Sequence, residues 1–152
     1  MSEHTSDETA NAPLVIHGQY IKDLSFEVPN APAVFQGMQV PPTVSVQVDI
    51  NARPLQLNMF EVTLNFHIKG MIQDKVAFIL ELTYAAVASL NVPQEHVQPV
   101  AMIELPRLLF PFARAIIADV SRDSGFPPLM IALIDFVSLY RQRLEGQKQA
   151  IT

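Results

Sequence analysis

The chain has 152 residues, of which 49% are hydrophobic and 16% charged, and its formal net charge is −5. This length suits one domain with a single core and is short for two. The absence of cysteine excludes disulfides, thiol catalysis and thiolate metal sites, and the negative charge argues against nucleic-acid binding and favours a basic partner. Prolines and charged residues interrupt the most apolar stretch, residues 105–120, which therefore does not predict a membrane span.

The first twelve residues, "MSEHTSDETANA", are polar and acidic. They have neither the basic start nor the apolar centre of a signal peptide, and their composition predicts a disordered arm. We therefore expect a soluble cytoplasmic protein with a folded domain at residues 13–147 and a flexible tail at residues 148–152.

Three segments after the arm alternate apolar and polar residues with a period of two, which is typical of strands with one buried face. The first segment alternates Leu24, Phe26 and Val28 with Ile21, Asp23, Ser25 and Glu27. The segments "TVSVQVDI" (residues 43–50) and "FEVTLNFHI" (residues 60–68) follow the same rule. Strict alternation predicts antiparallel pairing, with one face of the sheet in contact with water.

Polar residues 73–75 interrupt the next apolar stretch and predict a hairpin. The arm that follows, residues 77–90, is more apolar than a strand with one buried face requires. Such a strand lies either at the centre of the sheet or at an interface between molecules. We favour the interface, because Ile79 shares its face with the charged Glu81.

The period changes after Pro93. The segment "QEHVQPVAMIEL" (residues 94–105) is weakly helical, and "PRLLFPFARAIIADVSRDSG" (residues 106–125) predicts a strong helix. Pro106 suits the first turn of this helix, and Pro111, about one turn inside, predicts that it begins or restarts near that residue. An extended connection, "FPPLMIAL" (residues 126–133), leads to an amphipathic helix at residues 135–149, for which Asp135 is the predicted N-cap. Four strands followed by two main helices predict an α+β fold, in which the helices pack on one face of a four-stranded antiparallel sheet.

Motifs for catalysis or cofactor binding are absent from the sequence. The four histidines share no ligand spacing, so no metal site is predicted, and there is no nucleophile motif and no glycine-rich phosphate loop. Asp23 and Glu27 would lie roughly 13 Å apart on a strand, which is too far for paired catalytic carboxylates. We expect neither an enzyme nor a cofactor.

Two segments resemble the signature segments of the SecB family of protein-export chaperones. They are "YIKDLSFEVPNAPAVFQ" (residues 20–36) and "LLFPFARAIIADVSRDSGFPPL" (residues 108–129). The resemblance covers most of residues 14–145 and agrees with the predicted order of elements. It implies a homotetramer, built as a dimer of dimers, that binds unfolded precursor polypeptides without ATP and delivers them to the translocase motor SecA.

The resemblance also implies a docking face and an assembly region. Residues that match the acidic face for the basic, zinc-carrying C-terminal tail of SecA are Asp23, Glu27, Ile79 and Glu81. The plain alternative for these acids is that they only keep the surface soluble. Residues that match positions affecting tetramer assembly are Leu80, Leu82 and Tyr84, for which simple sheet core is the alternative.

Client binding requires apolar surface that adapts to many sequences, and methionines and flat aromatic faces suit this task. The resemblance implies grooves between the sheet and the connection after the first long helix. The matching residues are Phe26, Phe35, Met38, Phe110, Phe112, Phe126, Leu129, Met130 and Phe136. Core packing is the alternative for each of them. The segment "FPPLMIAL" is the best single candidate, because its prolines lower the entropy lost on binding.

The sequence departs from the family pattern at two places. The segment "QGMQVPP" (residues 36–42) lacks the tryptophan that many relatives carry, and the end of the chain lacks the acidic extension of some relatives. Another class of function also stays open, namely a tetrameric adaptor that is not a chaperone and whose acidic face recruits one folded partner. A small-molecule site between sheet and helices is a third alternative, for which the sequence offers no polar anchor.

Overall fold

The computed structural model describes residues 12–151, with the side chains of residues 12–147. Four strands form one antiparallel sheet: β1 (Leu14–Glu27), β2 (Thr43–Pro54), β3 (Met59–Ile72) and β4 (Lys75–Leu90), in the order β1-β4-β3-β2. Within this range the α-helices are α1 (Gln94–Pro99), α2 (Leu105–Asp123) and α3 (Phe136–Ile151). The α+β fold, with strands first and helices after them, is confirmed.

The predicted arm at residues 1–12 and the predicted tail at residues 148–152 concern the ends of the chain. They fall almost entirely outside the residues whose side chains the structure describes. Both therefore stay predictions.

The register of the sheet separates an outer face from a face that is covered by helices. Directly opposite residues of paired strands share a face, and β4 pairs with β1 on one side and with β3 on the other. The pair Asp23–Thr83 lies on the outer face, whereas Phe66 and Leu82 form a pair that is buried under the helices. The alternation predicted for β2 and β3 is confirmed along both strands.

A β-bulge at Lys22 changes the face on which the preceding residues lie. Ile21 pairs with Tyr84 and Asp23 pairs with Thr83, so Lys22 has no partner of its own in the register. The prediction that Ile21 shares a face with Asp23 is therefore wrong, and Ile21 lies on the helix side. The reason is that one extra residue in a strand shifts the period-two alternation by one position.

Strand β4 occupies a central position in the sheet. It is hydrogen-bonded to β1 and to β3 along its length, and this accounts for apolar residues on both of its faces. The interface predicted for this strand stays a prediction. In its second half, Ala85, Ala86 and Ala88 are fully buried.

The helical layer begins within the segment that the sequence predicts to be weakly helical. Helix α1 passes through a π-helical turn at Val100–Glu104 directly into α2. The prediction that the helix begins or restarts near Pro111 is wrong, because α2 starts at Leu105 and runs through the proline. Pro111 lies on the exposed side of the helix, where water can satisfy the carbonyl of Arg107 that loses its helical donor.

Helix α2 packs against the sheet through one apolar stripe. The stripe consists of Leu105, Leu109, Ala113 and Ile117, which are spaced by four residues and are all fully buried. These side chains belong to the same core as the helix-side residues of β3 and β4. In the described part of the chain, no helix is both long enough and apolar enough to cross a membrane.

The connection after α2 is extended, as predicted, and polar contacts hold both of its ends. The buried hydroxyl of Ser121 accepts a hydrogen bond from the Leu129 N–H and donates one to the Ile117 carbonyl, both at 2.9 Å. At the far end, the Ser138 N–H donates to Asp135 Oδ1 at 3.1 Å, which confirms Asp135 as the N-cap of α3. The connection is therefore anchored although it has no regular structure.

Candidate docking face and apolar grooves

An acidic surface occupies the outer face of β1 and β4. Asp23, Glu27 and Glu81 are exposed, and Ile79 is partly buried. The register places Ile79 directly opposite Glu27, and Glu81 opposite Ser25. Glu81 is thus a diagonal neighbour of both β1 acids, and such neighbours are about 7–8 Å apart in an antiparallel pair. The four side chains predicted to dock SecA lie on one continuous surface, which we call the acidic face.

The acidic face continues across β3 to β2 as an open depression of about 460 Å³. Its polar lining includes Asp49 and His67 in addition to Asp23 and Glu81, and His67 Nδ1 lies 3.0 Å from Glu81 Oε1. The sequence predicted no role for Asp49 or His67. Only the pairing of strands brings them beside Glu81, and the alternation within one strand carries no information about pairing.

A buried carboxylate lies on the same face toward the other end of the sheet. Glu61, which is 7% exposed, accepts hydrogen bonds from Lys22 Nζ at 2.8 Å, from Arg53 at 3.2 Å and from the Tyr20 hydroxyl. Tyr20 and Lys22 reach Glu61 across the small residues of β4, so the group joins β1, β2 and β3. We call these four residues the Glu61 cluster, and no sequence pattern predicts it.

Hydrogen bonding shifts two pKa values within the Glu61 cluster. The bonds from Lys22 and Tyr20 hold the pKa of Glu61 below its ordinary value, because they stabilise the carboxylate. The bond to Glu61 raises the pKa of Tyr20 to about 12. Glu61 is therefore a carboxylate and Tyr20 a neutral donor at neutral pH, and the cluster ties the bulged part of β1 to the rest of the sheet.

Four phenylalanines pack together where the connection meets the sheet. The ring of Phe126 lies 5.1 Å from those of Phe35 and Phe78, and Phe26 stacks on Phe78 at 5.3 Å. We call this group the Phe126 cluster, and it contains three predicted client residues, Phe26, Phe35 and Phe126. Gly125 has a φ of +96°, and a Cβ at this position would lie 3.1 Å from the Phe35 ring. Phe35 is the exposed edge of the group, Phe26 is partly buried, and Phe78 and Phe126 are buried.

A second set of predicted client residues lies at an apolar groove of about 270 Å³ between α2 and the connection. The lining of this groove, which we call the α2 groove, consists of Phe110, Pro111, Arg114, Ala115, Ala118, Met130 and Leu133. Met130 and Leu133 are 62% and 79% exposed. Below them, Phe110 packs edge-on against Phe136 with ring centroids 6.0 Å apart. The groove is therefore apolar and accessible.

The remaining predicted client residues lie elsewhere. Phe112 is 53% exposed and stacks on Tyr84 at 6.5 Å, on the side of α2 away from Phe110. Met38 and Leu129 are partly buried against the core. The nine predicted client residues therefore do not line one groove. For Phe110 and Phe112 the reason is that residues two apart on a helix point to nearly opposite sides.

An exposed apolar patch lies on the helix side of β1 beside α2. We call it the β1–α2 patch, and it consists of Ile21, Leu24, Leu108 and Phe112. The three residues predicted to affect assembly, Leu80, Leu82 and Tyr84, are buried in the core of the subunit. Tyr84 pairs with Ile21 and stacks on Phe112, and Leu82 pairs with Leu24, so these core residues border the patch.

Comparison with known proteins decides the family. The family model described as preprotein translocase subunit SecB matches residues 7–147. This chain belongs to the SecB family. The protein-export protein SecB of Rhodospirillum rubrum is 56% identical over 151 residues, covering 95% of this chain and 94% of its own length. That of Bradyrhizobium diazoefficiens is 51% identical over 148 residues, covering 96% and 92%.

A solved structure agrees with the SecB fold. It is the SecB-like chaperone of Mycobacterium tuberculosis in complex with a ChAD peptide from the HigA1 antitoxin. Its TM-score is 0.67, its sequence is 17% identical, and the match covers 84% of this chain and 95% of that chain. At this identity the likeness confirms the fold alone.

The chain also has a cleft for which the sequence predicts no role. It measures about 180 Å³ and lies between β2 and α3, and its lining includes Ile50, Met102, Tyr140 and Arg143. Arg143 Nη1 donates to the carbonyl of Ile50 at 2.5 Å and closes one side of the cleft. The cleft could not be found from the sequence, because its walls come from three elements that are far apart along the chain.

Proposed function

We propose that this SecB-family protein is an ATP-independent export chaperone in the cytoplasm. It binds unfolded precursor polypeptides, keeps them competent for translocation and delivers them to the SecA motor. Membership of the SecB family over residues 7–147 carries the proposal, and the accessible apolar α2 groove supports it. Release requires no nucleotide if each contact with the client is weak and exchanges rapidly.

The α2 groove suits clients that share no sequence. Met130 is flexible and polarisable, so it adapts to different side chains. Pro127 and Pro128 restrict the backbone of the connection, which lowers the entropy that this wall loses when a client is bound. Several copies of the groove on one tetramer engage the same long chain, so avidity holds the client although each site is weak.

A refolding assay tests the chaperone activity. We expect excess protein to delay the refolding of a denatured, slow-folding precursor and to ignore its native form. Combining Met130→Asn with Leu133→Asn shortens the delay, because both changes remove exposed apolar surface from the groove. Leu57→Asn, at an exposed leucine between β2 and β3, is the matched control and leaves the delay unchanged. No delay at excess protein would favour the adaptor instead.

For delivery, we propose that the acidic face docks the basic, zinc-carrying tail of SecA through Asp23, Glu27, Ile79 and Glu81. Clustered carboxylates speed association with a basic segment, and salt weakens such binding. Calorimetry with the isolated tail should give weaker binding for Glu81→Lys, with client holding unchanged. Glu95→Lys makes the same charge change at the start of α1 and should affect neither. Equal loss of client holding in Glu81→Lys would disprove the separation of the two surfaces.

We also propose a homotetramer, a dimer of dimers, in which the β1–α2 patch contacts a second copy of the chain. A group of exposed apolar residues beside polar surface is typical of an interface between proteins. Phe112→Asp should therefore lower the mass measured by light scattering and leave the far-ultraviolet circular dichroism unchanged. Leu57→Asp, outside the patch, should leave the mass unchanged. A tetrameric Phe112→Asp protein would show that the interface lies elsewhere.

A further inference from the structure

Arg114 is the only charged residue that lines the α2 groove within the described part of the chain. It lies on α2 with Phe110 one turn before it and Ala118 one turn after it, so the three side chains share one side of the helix. Met130 and Leu133 form the opposite wall. A guanidinium group is thus built into a groove that is otherwise apolar, on a chain whose net charge is −5.

The guanidinium of Arg114 lacks the partners that four other arginines have. Its Nε is buried, and no acceptor among the described residues lies within hydrogen-bond distance. Arg53, Arg107 and Arg122 pair with carboxylates, and Arg143 donates to a backbone carbonyl. None of the ion pairs between described residues includes Arg114. A buried donor without an acceptor is costly, and an occupant that supplies one recovers the loss.

We propose that Arg114 anchors the main chain of a bound client. Its N–H groups donate to backbone carbonyl oxygens of an extended segment in the α2 groove, while apolar side chains of that segment contact Met130 and Leu133. The inference deepens the proposed function and rests on it, because it takes the α2 groove as a client site.

The proposed contact explains why an unfolded chain is preferred to a folded one. An extended chain presents carbonyl groups at regular intervals of roughly 3.3 Å per residue, whatever its side chains are. In a folded protein nearly all buried carbonyls are already paired within helices and sheets, so they cannot accept a further bond at this site. Arg114 therefore selects for backbone carbonyl groups that are not paired, and the apolar walls of the groove select for apolar side chains.

The test measures binding of a short fluorescent peptide by anisotropy to the purified native oligomer. The peptide has blocked termini and contains only leucine, alanine and serine, so main-chain carbonyls are its strong acceptors. Arg114→Met keeps the apolar stem and removes every donor, and it should weaken binding roughly tenfold or more. Arg114→Lys keeps the charge but not the planar fork of N–H donors, and it should lose most of this affinity. Arg122→Met is the matched control on the same helix and should bind normally.

Any of the following outcomes would refute the proposal that Arg114 anchors the main chain of a client. One is unchanged binding by Arg114→Met with its circular dichroism intact. Another is a loss confined to a matched peptide that contains glutamate, which would assign Arg114 to side-chain carboxylates. A lower oligomer mass for Arg114→Met would identify a second copy of the chain as its partner. If the parent protein binds neither peptide, the proposed client site itself fails, whereas normal parent binding with unaffected variants refutes the anchor alone.

Discussion

Replacing Gly70 by alanine should displace Phe78 and loosen the Phe126 cluster. Gly70 lies on the helix side of β3, directly opposite Phe78 on β4. A Cβ at Gly70 would lie 2.4 Å from Phe78 Cε1 and 2.8 Å from both Cδ1 and Cζ. Carbon atoms in contact are about 3.5–4.0 Å apart, so the ring must move by about 1 Å.

The displaced ring has no free space to enter. Phe78 is buried, stacks on Phe26 at 5.3 Å and lies 5.1 Å from Phe126. Overpacking costs about 1–3 kcal/mol, and each disturbed aromatic pair adds about 0.5–1.5 kcal/mol. Replacing a glycine by alanine within a strand stabilises the folded state by about 0.5–1 kcal/mol. With both aromatic pairs disturbed, we therefore expect Gly70→Ala to lower the free energy of unfolding by about 3 kcal/mol, within a range of about 1–5 kcal/mol.

Urea denaturation followed by circular dichroism measures this loss, at one fixed protein concentration because assembly contributes to stability. Gly18→Ala on β1 is the matched control, since a Cβ there meets nothing within 4 Å. Its stability should be unchanged or higher by up to about 1 kcal/mol. Phe78→Leu makes room for the new Cβ at position 70. The double variant should therefore lose less unfolding free energy than the sum of the two single variants. Full stability of Gly70→Ala would refute the reasoning.

The polar contacts made by Glu61, Ser121 and Asp135 can be tested by substitution in the same way. Glu61→Gln should cost about 1–2 kcal/mol at neutral pH. Lys22 lowers the pKa of Glu61, so parent and variant should converge as the pH falls through the pKa that Glu61 has in the folded protein. Ser121→Ala leaves the N–H of Leu129 without its acceptor, and it should cost about 1–3 kcal/mol and speed amide exchange there. Asp135→Ala removes the N-cap of α3, so amide exchange in its first turn should rise.

Each of these three predictions has an outcome that would contradict it. A stability difference for Glu61→Gln that is independent of pH would mean that the charge of the carboxylate is not what stabilises the cluster. Unchanged exchange at Leu129 would show that Ser121 does not hold the connection. Unchanged exchange in α3 would show that Asp135 is dispensable as a cap.

Sequence patterns were sufficient to predict the elements whose regular spacing of residues is not interrupted. Strands β2 and β3 alternate along their whole length, and their faces could be assigned from the sequence because each residue alternates relative to its immediate neighbours. The N-cap of α3 at Asp135 was predictable for the same reason, since a cap acts only on the next few residues. The bulge at Lys22 was not predictable, because one extra residue in a strand leaves no recognisable signal in the amino-acid sequence.

The candidate sites were predicted only in part. The four residues of the acidic face were found together, because they follow the alternation of two strands and match family motifs. Six of the nine predicted client residues are dispersed over the Phe126 cluster, the α2 groove and the β1–α2 patch, and the other three pack in or against the core. A list of apolar residues does not say which of them share a cavity. Arg114 was overlooked, since whether an arginine has a partner depends on what surrounds it in space.

By itself, the sequence determined the fold class, the order of strands and helices, and the resemblance to SecB. These depend on periodicity and on motifs that are contiguous in the chain. Tertiary structure alone decided the central place of β4, the faces on either side of the bulge and the burial of Glu61. Each of these depends on contacts between residues far apart in sequence, such as Tyr20 and Glu61 at a separation of 41 residues, and a local pattern carries no record of such contacts.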